Sequence, residues 1–291
     1  MKDNIDELID NGTLESEMSS ALEAYESEDY EIAWEYYLKV YNSKKASREQ
    51  KAESSYMLCE IMKVISIDSQ LISDLMNNDI GLKKVALTKP VTPEYTRKYI
   101  GRKYLKTSAD YDYIKGLVEY GLSCVDCGPK KNFNYEYNDE NAEVALAWAD
   151  KMIRYDNIEV KQAAYIIYAK YYFVKCKSDN TDFYVNLYGD NVLNAKELNE
   201  EDQYVNYFLG HLYANPKFKK YKDEEYYNPK EGYEYFQKVV DVADDPLLLQ
   251  SAKEIIHMLE TKYPTMIGKE NGEKIIQEND DEFLDDESVD D

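Results

Sequence analysis

Two distant stretches of the chain repeat one pattern. Glu28–Tyr41 reads EDYEIAWEYYLKVY and Asn228–Asp241 reads NPKEGYEYFQKVVD. Ala33-Trp34-Glu35-Tyr36-Tyr37-Leu38-Lys39-Val40-Tyr41 matches Gly232-Tyr233-Glu234-Tyr235-Phe236-Gln237-Lys238-Val239-Val240: small, bulky, acid, two aromatics, any residue, lysine, two apolar. A looser copy runs from Ala145 to Ile153 around Trp148. The apolar positions recur at helical spacing, so the repeated unit is an amphipathic helix. A chain that reuses one helix tends to be built by stacking, because one hairpin has too little core to stand alone.

The rest of the chain agrees. Glycine (11) and proline (7) are scarce among 291 residues, which favours long helices over many short strands. Thr13 is read as the cap of a helix reaching about Ser27, and Glu28–Tyr41 holds the next. A third runs from Ala46 to about Ser66, with Ala52, Tyr56, Cys59 and Met62 on one side. Asp68 is placed to cap a short helix over Leu71–Met76. Thr92-Pro93-Glu94 combines a capping hydroxyl, a proline whose missing N–H costs nothing and a first-turn acid, and opens a helix to about Lys106. Ser108 is read as the cap of the following one. Later helices are expected at 140–154, 158–176, 183–197, 201–214, 229–243 and 246–262, with loops at Cys124–Asp139 and Asn215–Asn228. No segment shows strand alternation bounded by turn residues. The fold class is all-α.

The repeated pattern resembles the second helix of a tetratricopeptide repeat, and Asp29-Tyr30-Glu31-Ile32-Ala33 matches the start of that helix. Leu209-Gly210, Tyr120-Gly121 and Tyr168-Ala169 match the large–small pair of a first helix. The long interval between YFLGHLYA and GYEYFQKV looks more like the Sel1-like variant. The resemblance covers roughly 15–42 and 109–262 and fades between about 65 and 107. It implies a right-handed superhelical solenoid of antiparallel helix hairpins over 1–267, closed by a capping helix at Leu247–Lys262, and then an acidic tail. It implies that Ala33, Gly121, Ala169, Gly210 and Gly232 mark close helix crossings. It further implies a concave face of first helices that holds a peptide or partner helix, lined by Lys115 and Leu122, by Ile166 and Lys170, and by Tyr204, Tyr207 and His211.

Charge narrows the partners. The net charge is −23. From Gly268 onward eleven acids stand against Lys269 and Lys274, a net −9 that leaves −14 for the rest. Such a field repels nucleic acid and anionic membrane. The tail Glu278–Asp291, ENDDEFLDDESVDD, buries too little to fold and holds one apolar pair, Phe283-Leu284. The exception to the acidity is Leu82–Lys106. Lys83, Lys84, Lys89, Arg97, Lys98, Arg102, Lys103 and Lys106 face Glu94 alone, a local +7 interleaved with Tyr95, Tyr99 and Tyr104. Two readings fit it: a solvated face that compensates acidic neighbours, or an anion-binding strip for an acidic peptide or the chain's own tail.

Catalysis has little support. Cys124-Val125-Asp126-Cys127 has redox or zinc spacing, but a helix rather than a strand precedes it, no second pair accompanies it, and Cys59 and Cys176 are remote. His211 and His257 have no nucleophile or ligand partner at local spacing, and no phosphate, dinucleotide or hydrolase motif occurs. No metal or cofactor is expected. The amino end has no apolar run and no stretch is long and apolar enough to span a membrane, so a cytoplasmic protein with reduced thiols is expected. The sequence reading is a non-enzymatic protein–protein interaction scaffold. The alternative is an acidic inhibitor or immunity-type protein that covers a basic surface of a toxin or nuclease.

Overall fold

The computed structural model describes residues 2–125, 127, 139–178, 181–218, 220–221, 224–225, 227–265 and 267, together with their side chains except at 2–12, 139–141, 178, 220–221 and 224–225. Apart from one two-residue antiparallel ladder, Lys220–Tyr221 with Glu224–Glu225, its regular elements are helices. That ladder lies inside the segment read as a loop.

The chain divides into two compact units, the first ending at Ser123 and the second starting at Cys124. The first holds α1 (Lys2–Glu26), α2 (Tyr30–Asn42), α3 (Arg48–Val64), α4 (Gln70–Asn78), α5 (Ile80–Val85), α6 (Pro93–Asp110) and α7 (Ile114–Ser123). The second holds α8 (Asp139–Met152), α9 (Ile158–Ser178), α10 (Asp182–Leu198), α11 (Gln203–Ala214), α12 (Pro229–Val242) and α13 (Pro246–Lys262). No described helix is long and apolar enough to cross a membrane.

Cap chemistry sets most boundaries. Ser47 and Gln50 form a reciprocal capping box at α3. Thr92 Oγ1 accepts the Tyr95 N–H at 3.1 Å, with Pro93 at the first helical position. Asn228-Pro229 and Asp245-Pro246 open α12 and α13 the same way. Three expectations fail. Helix α1 begins at Lys2 and passes through Thr13, as its acidic first turns allow. The cap of α4 is Ser69, whose hydroxyl accepts from Ile72, rather than Asp68. Ser108 caps nothing: it is buried inside α6, which continues to Asp110. The chain turns there at Asp112, with φ 67°, and Arg48 clamps the turn by donating to the carbonyls of Asp110 and Tyr111 and to the Asp112 carboxylate.

In the first unit, α2 packs on α1 and α3, and α3 packs directly on α6, although α4 and α5 intervene in sequence. The segment where the repeat phase fades is thus an excursion between two helices that pair with each other. Helices α2 and α6 share an aromatic contact, Trp34 and Tyr41 each meeting Tyr104 edge-on at 5.5 Å. Helix α7 packs on α6 and is tied to α3 through Glu119, which meets Tyr56 and Lys63. In the second unit, consecutive helices pack from α8 to α13. Its core is an aromatic cluster in which Tyr188 stacks on Phe218 at 4.7 Å and donates to the Phe208 carbonyl at 2.6 Å. The small residues do mark close approaches here. A methyl on Gly232 would lie 2.6 Å from Ala214 Cβ and 2.9 Å from the Gly210 carbonyl, so α11 and α12 cross in backbone contact.

Candidate functional site

The residues expected to line one groove differ in burial. On α11, every residue from Tyr204 to Leu212 is buried. This helix lies among α9, α10 and α12, and residues beginning α13 close its N-terminal end. The Tyr204 hydroxyl reaches Asp245 Oδ2 at 3.3 Å, and the Tyr207 hydroxyl lies 2.9 Å from Ser251 Oγ. Tyr204, Tyr207 and His211 therefore belong to a core, and so does Ile166, 2% exposed. Helical register alone does not show this burial, because the neighbouring helices cover the faces of α11 between Tyr204 and Leu212. Lys170 is half-buried, Leu122 is half-buried and Lys115 is exposed. The last two sit on α7, in the other unit.

His211 has an unusual setting. Its ring lies 4.6 Å from Tyr207, 4.7 Å from Phe173 and 5.2 Å from Phe236. Neither ring nitrogen has a hydrogen-bond partner. Burial, with smaller contributions from Lys177 and Lys170, pushes its pKa down to about 3. The imidazole is a neutral aromatic filler, without the acid–base partner that catalysis requires.

A partly buried polar cluster joins α3 to α7 and has Tyr25 of α1 in its field. Tyr56 donates to Glu119 Oε1 at 2.5 Å. Lys63 Nζ sits between Glu60 Oε1 at 2.5 Å and Glu119 Oε2 at 2.7 Å, with its side chain 8% exposed. Burial opposes the Lys63 charge, and Cys59, Glu119 and Glu60 together outweigh it and raise the pKa. Burial pushes the Cys59 thiol well up, so it stays neutral and the two carboxylates are what hold Lys63 charged. Tyr25, on α1, feels Glu60 and Lys63, and burial raises its pKa. Tyr113 packs on Tyr56 at 5.2 Å, and Lys115 Nζ lies 6.0 Å from the Tyr56 ring centre. Lys115 is exposed at the edge of this cluster. The signal present in the sequence was the stripe Tyr56, Glu60, Lys63, three residues at i, i+4 and i+7 on one helix.

The basic strip is partly self-neutralised. Arg97 and Lys98 pair with Glu94 within their own helix, Lys106 pairs with Asp110, and Lys103 reaches Asp79 at 3.0 Å. Arg102 leaves the strip: it is 6% exposed and donates to Ser123 Oγ at 2.8 Å. Lys83, Lys84 and Lys89 remain exposed. Lys89 stands 4.4 Å over the Tyr95 ring, and Tyr95 stacks on Tyr99.

The chemical candidates gain no geometry. Cys59, Cys124, Cys127 and Cys176 are all buried. No group of three or more metal-ligating side chains converges among the described residues. The tail from Gly268, including Phe283-Leu284, lies outside the described residues. No family model, no curated protein and no solved structure matches this chain.

Proposed function

We propose that the protein is a non-enzymatic protein-binding scaffold built from tetratricopeptide- or Sel1-like hairpins that stack with the right-handed sense of such solenoids. The partner, a peptide or helix of another protein, contacts the α1–α3–α7 face. The observation that supports this most is the makeup of that face: Tyr56 against Glu119, Lys63 pinning α3 to α7, and Tyr25 of α1 in the field of Glu60. Tyrosine offers broad contact for little frozen side-chain freedom, and a face stiffened by an internal ion pair loses little entropy on binding. Cytosolic residence is part of the same reading.

The test is affinity capture from native lysate with nuclease present, comparing wild type with Tyr25→Ala/Lys115→Glu and with a control, Phe183→Ser, in the other unit. A stoichiometric protein retained by wild type and the control but lost by the face variant supports the proposal. Equal capture by all three refutes it.

The net charge of −23 favours one second reading, an acidic inhibitor of a basic toxin or nuclease. In that case a single basic partner is captured at low salt, is lost as salt rises, and is indifferent to Tyr25.

A further inference from the structure

In this acidic protein, Ile80–Lys89 shows the opposite chemistry. After α5 the chain winds through a turn, with Ala86 N–H donating to Leu82 O at 2.9 Å and Lys89 N–H to Val85 O at 3.1 Å. Ile80, Lys83, Lys84 and Leu87 therefore share one side, at i, i+3, i+4 and i+7. Leu82 points the other way and is 1% exposed. Ile80 and Leu87 are 73% and 85% exposed, more than any other large apolar side chain among the described residues. Lys83, Lys84 and Lys89 are exposed beside them and ion-pair with no carboxylate among the described residues.

This surface is held in shape. Asp79 accepts from the Leu82 N–H at 3.0 Å and pairs with Lys103 of α6 through its other oxygen, also at 3.0 Å. A methyl on Gly81 would lie 2.1 Å from the Tyr99 hydroxyl, so α5 rests against α6. Ile80 opens the fixed helix and Leu87 lies in the hydrogen-bonded turn that follows it. Exposed large apolar groups rimmed by charge are a mark of interaction sites.

We infer that this surface docks a short acidic segment of a partner protein, one that carries adjacent large apolar side chains flanked by Asp or Glu. The apolar side chains cover Ile80 and Leu87, and the acids meet Lys83, Lys84 and Lys89. Size decides against larger anions. Screening confines exposed charges to roughly 10 Å, so a short peptide feels only the local lysines. A membrane or a nucleic acid extends beyond the patch and meets the field of a chain of net charge −23, which repels it. The inference is independent of the α1–α3–α7 face.

The test uses the full-length chain carrying Phe283→Ser and Leu284→Ser, so that its own acid-flanked pair does not compete. The probe is the peptide EDDFLDDE with a benzophenone photocrosslinker on the aromatic residue, and KKKFLKKK with the same group is the control. Crosslinks from the acidic peptide are expected within 80–99. They should fall by about tenfold in Lys83→Glu/Lys84→Glu and in high salt, and they should weaken in Leu87→Ser. Scattered crosslinks, equal labelling by the basic peptide, or indifference to these variants overturns the inference. Binding to phosphatidylserine vesicles without peptide crosslinking also overturns it, in favour of a lipid partner.

Discussion

His211 makes a measurable demand on pH. Its folded pKa of about 3 lies below the ordinary histidine value of 6.5, so the unfolded chain takes up the proton first. The stability associated with the neutral ring is fully present above pH 6.5 and is lost as pH falls from 6.5 toward 3. Linkage gives a loss of about 2 kcal/mol at pH 5, rising to about 4–5 kcal/mol near pH 3. Carboxylates also titrate in this range, and the comparison with His211→Phe removes their contribution. Phenylalanine fits a ring already walled by Phe173, Tyr207 and Phe236, and it removes two buried nitrogens that have no partner. At pH 8 the variant should be as stable as wild type or more so. Between pH 8 and pH 5, wild type should lose about 2 kcal/mol more than the variant in urea unfolding followed by circular dichroism. Parallel pH profiles for the two proteins would show that the buried, neutral imidazole is not as described.

Other outcomes follow from close contacts and pairings. Gly232→Ala should destabilise by about 2–4 kcal/mol, because the added methyl meets the backbone of Ala214 and Gly210, which cannot swing aside; a thermal melt checks it, and an unchanged melting temperature contradicts the crossing. Tyr56→Phe and Glu119→Gln should each cost about 1–2 kcal/mol, and the double variant less than their sum, since both break one charge-assisted hydrogen bond. A double-mutant cycle in urea measures that coupling, and strict additivity would refute it. The four buried cysteines should resist a small thiol reagent in the native protein and react together on unfolding; rapid native labelling of Cys124 or Cys127 would reopen a redox role for that pair.

The helices were legible because their signals are local. Thr92-Pro93 and Asn228-Pro229 announce starts within a few residues, and the stripe Leu248, Ala252, Ile255, Leu259 announces which face of α13 is buried. The close crossing at Gly232 was legible because a missing side chain has one obvious use. Pairing was harder. The direct packing of α3 on α6 depends on a contact that skips α4 and α5, and no periodicity within either helix records it. The burial of Tyr204, Tyr207, His211 and Ile166 was hidden for a related reason. A helical register says which side chains share a face, and only the neighbours decide whether that face meets solvent. On α11 they cover every residue from Tyr204 to Leu212. Arg102 shows the same limit from the polar side, since a basic residue among bases looked like surface and proves to be a buried donor to Ser123.

The enclosure of α11 has a practical consequence. A helix without an outer side has amide protons that reach deuterium only when its unit opens as a whole, so the segment Gln203–Ala214 reads out the global opening free energy of the second unit. Any molecule that prefers the closed unit slows that exchange through mass action, wherever on the unit it settles. One peptide in a hydrogen–deuterium exchange experiment thereby serves as a screen for ligands of this unit before their binding surface is known.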